Sequence, residues 1–150
     1  MMLEVLAPCP GHVIAMSEVD DPVFSVGAVG PGVGIEPRPG QTAVVSPVDG
    51  VLIKLSPHAF IVLVDDEIGV LVHIGINTVR LDGEGFELLA AEGDRVEAGT
   101  PVVSWDPGSI TDPDMRDTVI VAVMDQEPDS LRIDEVNHDV DAGRVLFRLV

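Results

Sequence analysis

The sequence predicts an all-β fold, an antiparallel β-sandwich or barrel with one or two short helical turns. The 15 glycines and 12 prolines separate short runs rich in Val, Ile and Leu, and these runs recur about every ten residues, as they do in sandwiches and barrels. Helical periodicity is weak throughout, although 109–116 and 128–133 could each hold one or two turns. The length of 150 residues fits one domain, 1–150, with a sizeable core.

Each predicted strand is a short run of apolar or β-branched residues that ends near Gly, Pro or Asp, the residues that favour turns. In chain order, the predicted strands are Glu4–Ala7, His12–Met16, Gly32–Glu36, Gln41–Ser46, Gly50–Leu55, Ala59–Val64, Ile68–Ile76, Glu87–Leu89, Arg95–Glu97, Pro101–Trp105, Thr118–Met124 and Arg144–Val150.

Two turn motifs occur twice in the chain. A small residue followed by Pro-x-x-Gly or Pro-x-Pro-Gly is found at 7–11 and again at 46–50. A Val-acid-Ala-Gly turn is found at 96–99 and again at 140–143. Glycine supplies the positive φ that such turns require. The repeats therefore predict a duplicated half-barrel.

Composition excludes several classes of function. The net charge is −18 and Lys54 is the only lysine, so the surface would repel nucleic acid and anionic lipid headgroups and would suit a basic partner protein. The single cysteine, Cys9, fits a reducing compartment. The longest apolar runs are strand-sized, whereas a membrane-spanning helix needs about 20 residues. We expect a cytoplasmic protein without direct membrane insertion and without a secretory signal.

His58 and His73 flank an apolar stretch that is interrupted only near Asp65-Asp66 and reads as a β-hairpin. If the turn is centred on Asp65-Asp66, antiparallel partners have numbers that sum to 131, and His58 lies directly opposite His73. Facing side chains in such a ladder have Cβ atoms about 4.5–5.5 Å apart. The register thus predicts two imidazoles at one point above the sheet, and a slip of one residue would place them on opposite faces.

Three chemistries use a pair of histidines. In phosphoryl acceptance, one neutral imidazole attacks phosphorus and the other steadies the oxygens. Zinc binding needs three or four ligands, and neither His58 nor His73 has an HxH or HExxH spacing. Hydrolysis would need an activated nucleophile, for which only Ser56 is nearby. His12 and His138 adjoin turns and have no evident partner, which favours a structural role for both.

The chain closely resembles the glucose-type IIA component family of the bacterial sugar phosphotransferase system (PTS). The segments that carry the resemblance run in the family's order along almost the whole chain. They are Ala7-Pro8…Gly11, Val23-Phe24-Ser25, Gly34-Ile35-Glu36-Pro37, Ser46-Pro47-Val48-Asp49-Gly50, His58-Ala59-Phe60, Val72-His73-Ile74-Gly75-Ile76-Asn77-Thr78-Val79, Gly83-Glu84-Gly85-Phe86 and Glu92-Gly93-Asp94-Arg95-Val96.

The resemblance implies a β-sandwich of the duplicated-hybrid-motif type and a role as phosphoryl carrier. His73 matches the histidine that is phosphorylated at Nε2, and His58 matches the histidine that stabilises the transferring group. Ser56 takes the place of a hydroxyl residue, usually Thr, that hydrogen-bonds in the site. Asp125 matches an acidic residue near the histidines.

The resemblance also implies partners. The phosphoryl group would come from HPr and pass to a cysteine on the IIB domain of a glucose-class permease, for glucose or N-acetylglucosamine. The unphosphorylated form could regulate permeases or kinases. No cofactor is required, although zinc could bind between His58 and His73, and we expect a monomer. Pro31 and Asn77 depart from the acids that the family often carries at its partner-facing rim.

Two other functions share parts of the pattern. Residues 92–101 resemble the turn of biotinyl- or lipoyl-type swinging-arm domains, but these need a lysine at a hairpin tip, and Lys54 lies within a predicted strand. A lysostaphin-type zinc peptidase would need an HxH pair and a third ligand, and the sequence shows neither.

Overall fold

A computed structural model describes residues 3–150 and shows 14 strands connected by short turns. The strands are β1 Leu3–Leu6, β2 Gly11–Ala15, β3 Gly32–Pro37, β4 Thr42–Val45, β5 Gly50–Ser56, β6 Ala59–Val64, β7 Ile68–Ile76, β8 Glu87–Leu88, β9 Arg95–Val96, β10 Pro101–Trp105, β11 Arg116–Val123, β12 Leu131–Arg132, β13 Asp139–Val140 and β14 Val145–Leu149. One short helix, α1, spans Pro22–Ser25, and 3₁₀ turns span Met16–Glu18, Thr78–Leu81 and Pro107–Ser109.

The strands form three antiparallel sheets. The largest has eight strands in the order β13-β2-β3-β11-β7-β6-β5-β9, and two three-stranded sheets have the orders β1-β14-β12 and β4-β10-β8. In residues 3–150, the large sheet is open at both edges and forms a sandwich with the small sheets rather than a closed barrel. The predicted all-β antiparallel fold is confirmed. None of the helices in this part of the chain has the length or apolar content needed to cross a bilayer.

The two faces of the large sheet differ in what covers them. Its inner face, with Phe60 and Val72, packs against side chains of the small sheets, such as Trp105 and Phe147, in the main core. Its outer face carries a smaller apolar cluster of Ile14, Val19, Ile76 and Ile120, which is partly covered by Met16 and Phe24. The outer face is where a second, shallow layer of chain lies on the sheet.

The repeated turn motifs pair with each other in the structure. Ala7 exchanges two backbone hydrogen bonds with residues 143–144, and Ser46 exchanges two with residues 99–100. The strands that begin at these turns repeat the pattern, since β2 pairs with β13 at one edge of the large sheet and β5 pairs with β9 at the other. The duplication predicted from the two motifs is therefore present in the hydrogen bonding.

Short helical turns are present, but not at the positions predicted for them. Within 109–116, only Ser109 is helical, as the end of the 3₁₀ turn, and Arg116 already begins β11. Within 128–133, the chain forms β12. Pro113 lies in the interior of the first segment, where proline lacks the N–H that a helix needs. Both segments are too short to be stable as isolated helix, and β14 provides backbone partners for β12. Strand β13 and helix α1 were not predicted.

The predicted hairpin register is also wrong, by one residue. Val64 pairs with Ile68 and Ala59 pairs with His73, so partner numbers sum to 132. Asp65 and Asp66 have φ of 51° and 56°, and the Glu67 N–H donates to the Val64 carbonyl at 3.0 Å. Because Glu67 is a third turn residue, the pairing shifts by one. His58 then lies before β6, in the two-residue turn with Pro57.

Candidate functional site

His73 lies in the centre of the outer face of the large sheet. Its cross-strand partners are Ala59 on β6 and Ile120 on β11, and the imidazole is half-buried between neighbouring side chains. Nδ1 of His73 is 2.6 Å from the carbonyl oxygen of Gly75. Because a carbonyl only accepts, Nδ1 carries the proton, and the lone pair of the neutral ring is at Nε2.

The Gly75 carbonyl is held in place by an unusual local backbone. Gly75 has a φ of 81°, and a Cβ at this position would lie 2.4 Å from Cγ2 of Thr78 and 2.9 Å from the carbonyl oxygen of Arg116. Thr78 is fully buried and its hydroxyl donates to the Ile74 carbonyl at 2.6 Å. Only glycine fits this conformation and this space, and the resulting bend turns its carbonyl back to His73.

His58 reaches the same site from a turn. The centroids of the His58 and His73 rings are 5.4 Å apart, and the ring planes meet at 75°. The backbone carbonyl of His58 accepts from the Ile74 N–H at 2.6 Å, which fixes the turn against β7. In a regular strand, His58 would face away from His73, as a register shifted by one residue requires. The turn frees the side chain from strand alternation, so the two imidazoles meet after all.

A short segment before β3 forms the other wall of the site. The Phe24 ring, on α1, lies 5.1 Å from the His73 ring between centroids, with the planes inclined at 58°. Asp21 caps α1, since one of its carboxylate oxygens accepts from the Val23 and Phe24 N–H groups at 2.8 and 3.1 Å. Sequence reasoning did not identify Asp21 as a site residue, although Asp followed by Pro at the first helical position is a helix-start signal.

The electrostatics of the site favour neutral imidazoles. Burial lowers the pKa of His73, and the positive form of His58 lowers it further, whereas the hydrogen bond to Gly75 and the charge of Asp21 oppose this shift. Burial also lowers the pKa of His58. Both rings are therefore mainly neutral at pH 7, with the His73 lone pair at Nε2 available to an electrophile.

The other two predicted site residues, Ser56 and Asp125, differ in how close they lie to His73. Ser56 pairs with Ala59, the partner of His73, so Ser56 and His73 lie on the same face in one cross-strand row. Asp125 is exposed in the turn after β11, with a φ of 59°. It follows Ile120, the partner of His73, by five residues, or about 16 Å of extended chain. No hydrogen bond or ion pair within residues 3–150 joins Asp125 to either histidine.

The donor atoms do not complete a metal site. Within residues 3–150, no group of three or more His, Cys, Asp or Glu side chains is placed to share a metal ion. Zinc takes three or four protein ligands, so His58 and His73 alone do not fit a resident zinc. His12 lies elsewhere, with Nδ1 2.8 Å from a carboxylate oxygen of Asp139.

Comparison with known proteins gives a consistent family. Residues 3–128 match the family described as phosphoenolpyruvate-dependent sugar phosphotransferase system, EIIA 1. The chain is 41% identical over 108 residues, 71% of its length, to the PTS system glucose-specific EIIBCA component of Corynebacterium glutamicum, of which it covers 16%. It is also 41% identical over 110 residues, 72% of its length, to the PTS system glucose-specific EIIA component of Oceanobacillus iheyensis, of which it covers 66%.

A solved structure shares the fold. The glucose permease IIA from Mycoplasma capricolum superposes with a TM-score of 0.89 at 32% sequence identity, covering 100% of this chain and 97% of that one. The similarity therefore extends over both halves of the duplicated sandwich and includes the turn that carries His58 and the strand that carries His73.

Proposed function

Because the chain belongs to the EIIA 1 family of the phosphoenolpyruvate-dependent sugar phosphotransferase system, we propose that it is a phosphoryl carrier whose acceptor atom is Nε2 of His73. The observation that carries this proposal is the 2.6 Å hydrogen bond from Nδ1 of His73 to the Gly75 carbonyl. It keeps the nucleophilic lone pair on the nitrogen that does not face the backbone, in a ring that is neutral at pH 7.

The acceptance step exchanges one nitrogen–phosphorus bond for another. The donor is the phosphohistidine of HPr. The Nε2 lone pair of His73 forms a bond to phosphorus as the donor's N–P bond breaks, and that electron pair returns to the donor imidazole. The Nδ1 proton stays in its hydrogen bond to Gly75 and so stabilises the positive charge that spreads over the phosphorylated ring. An N–H of His58, whose ring is 5.4 Å away, can donate to a phosphoryl oxygen.

The onward step passes the phosphoryl group to a cysteine of a IIB domain in a glucose-class permease, for glucose or N-acetylglucosamine. Two relatives support this class of recipient by their names, glucose-specific EIIBCA component and glucose-specific EIIA component. The net charge of −18 suits a donor and a recipient that present basic side chains around their reacting groups. A cytoplasmic location, a monomeric state and regulation of permeases or kinases by the unphosphorylated form remain part of this proposal.

The remaining site residues have supporting roles in the proposal. The position of Ser56 in the row of His73 suits a hydroxyl that contacts the phosphoryl group or an imidazole. Asp125 is exposed in the turn after β11, and we place its role at the surface that partners cover. Zinc between His58 and His73 would require a further ligand from a partner protein.

The test is phosphoryl transfer from phosphoenolpyruvate through Enzyme I and HPr, followed by intact-mass and phosphohistidine mapping. We expect one acid-labile phosphate on His73 and none in His73→Gln. His58→Gln should accept phosphate but pass it on poorly. His12→Gln is the control, because His12 is exposed and remote from the site. Phosphate on another residue, or full onward transfer by His58→Gln, would contradict the assigned roles.

A further inference from the structure

Arg116 contacts two segments that border His73 and that are distant from each other in the sequence. It begins β11 and pairs with Ile76 at the end of β7. Nη1 of its guanidinium donates to the carbonyls of Pro113 and Met115 at 2.7 and 2.8 Å. Nη2 lies 3.0 Å from a carboxylate oxygen of Asp20. One side chain therefore links the loop before β11 to the segment before α1.

Asp20, the ion-pair partner of Arg116, lies next to the helix that carries Phe24. Asp20 directly precedes Asp21, the residue that caps α1 through the Val23 and Phe24 N–H groups. The Phe24 ring in turn lies 5.1 Å from the His73 ring. Because α1 is only four residues long, it has little stability of its own, and its position depends on the contacts that hold its ends.

The backbone of Arg116 lies beside Gly75. The Arg116 carbonyl oxygen borders Gly75 so closely that a Cβ there would lie 2.9 Å away. Gly75 supplies the carbonyl that accepts from Nδ1 of His73. The backbone of Arg116 thus contacts Gly75, which sets the His73 tautomer. The side chain of Arg116 contacts Asp20, which directly precedes the α1 cap.

We propose that Arg116 is a positioning residue that holds α1 against the His73 imidazole through its ion pair with Asp20. This inference rests on the proposed phosphoryl-carrier function for its kinetic consequence, while its structural part concerns the free protein. The guanidinium reaches its three acceptors in different directions, which a lysine ammonium on a thinner stem cannot reproduce. Val19 also anchors this segment, since it is buried in the outer cluster, so loss of the ion pair should displace α1 without releasing the whole segment.

The test compares Arg116→Gln, Asp20→Asn and the double variant with the wild-type chain. The first readout is the NMR nuclear Overhauser effect between the rings of Phe24 and His73 in the free protein. The second is the rate of phosphorylation by phospho-HPr, separated into the maximal rate and KM. Arg38→Gln is the matched control, because it removes an equal charge and an exposed ion pair, to Asp141 at 3.6 Å, elsewhere on the surface.

We expect both single variants to weaken the ring–ring signal by about half and to lower the maximal rate about two- to fivefold, with KM changed less than about twofold. The double variant should be no worse than either single variant, because both changes break one link. Arg116→Lys should restore part of the signal, and Arg38→Gln should match the wild type.

Two results would overturn the inference: an unchanged ring–ring signal in Asp20→Asn, or additive losses in the double variant. Asp20 is 70% exposed, so its replacement tests the link even where Arg116→Gln disturbs β11. Failure of the proposed function is a separate outcome. If the wild-type chain takes up no phosphate while both variants lose the ring–ring signal, then the positioning role stands and the carrier function does not.

Discussion

Replacing Gly75 by alanine tests whether the backbone around His73 is as constrained as its geometry indicates. Two costs arise from the structure. An alanine held at a φ of 81° costs about 1–2 kcal/mol, because its Cβ crowds the following carbonyl. The same Cβ would lie 2.4 Å from Cγ2 of Thr78, and forcing a methyl group into a packed interior costs about 1–3 kcal/mol.

The two costs together predict a loss of about 2–5 kcal/mol in the free energy of unfolding, a large part of the 5–15 kcal/mol typical of a domain. Thr78 has little freedom to move aside, since it is fully buried and its hydroxyl is bonded to the Ile74 carbonyl. The measurement is urea unfolding at pH 7.5, followed by circular dichroism.

Gly85→Ala is the matched control. Gly85 has a φ of 86°, but no atom beyond its two chain neighbours lies within 4 Å of a Cβ placed on it. This variant therefore carries the backbone cost without the packing cost, and it should lose only about 1–2 kcal/mol. The difference between the variants isolates the contact with Thr78 and Arg116. A Gly75→Ala loss within about 0.5 kcal/mol of the Gly85→Ala loss would refute the reasoning.

Two further predictions concern titratable groups. Burial lowers the pKa of His58 and His73, so the unfolded chain binds more protons as the pH falls below the usual imidazole pKa of about 6.5. Above that pH these groups should not affect the free energy of unfolding, and below that pH the free energy of unfolding should decrease. Urea unfolding between pH 8 and pH 5.5 should show a smaller decrease in His73→Gln than in the wild type. Burial raises the pKa of Cys9 to about 12, so a thiol reagent at pH 8 should modify it only in urea; rapid modification of the folded protein would contradict this.

The strand positions could be predicted because their signals are local. Runs of β-branched residues between glycines and prolines determine where strands begin and end, and ten or more such runs leave an all-β sandwich as the natural arrangement. The very short strands are different. Asp139–Val140 has two residues and no periodicity, and it is extended because β2 offers it partners. Such a strand exists only through a contact that is remote in sequence.

The hairpin shows why the site was only partly predictable. Its location and its turn follow from the sequence, but its register depends on whether Glu67 pairs or turns, which side-chain patterns do not determine. The two histidines still meet, because Pro57 and His58 form a turn and escape strand alternation. The sequence therefore predicted correctly that the two rings lie close together. The predicted cause, direct cross-strand pairing, was wrong, because the turn at Pro57-His58 brings them together instead.

The wall formed by α1 could not be predicted from periodicity. Four helical residues are too few for a helical pattern, and Asp21 acts on the site through a helix cap and through its charge near His73. The resemblance to the family included Phe24 but assigned it no contact. What sequence reasoning lacked was the path of residues 16–25 over the outer face of the sheet.

The pairing of the first strand with the last has a consequence for how this domain can be joined to other domains. Leu3 lies opposite Leu149, so the two ends leave the sandwich side by side. They leave from the three-stranded sheet that packs on the inner face of the large sheet, across the core from His73. A linker at either end, or the insertion of the whole unit into a loop of another protein, would thus leave His73 uncovered. Attachment through either end is therefore compatible with the proposed phosphoryl transfer at His73.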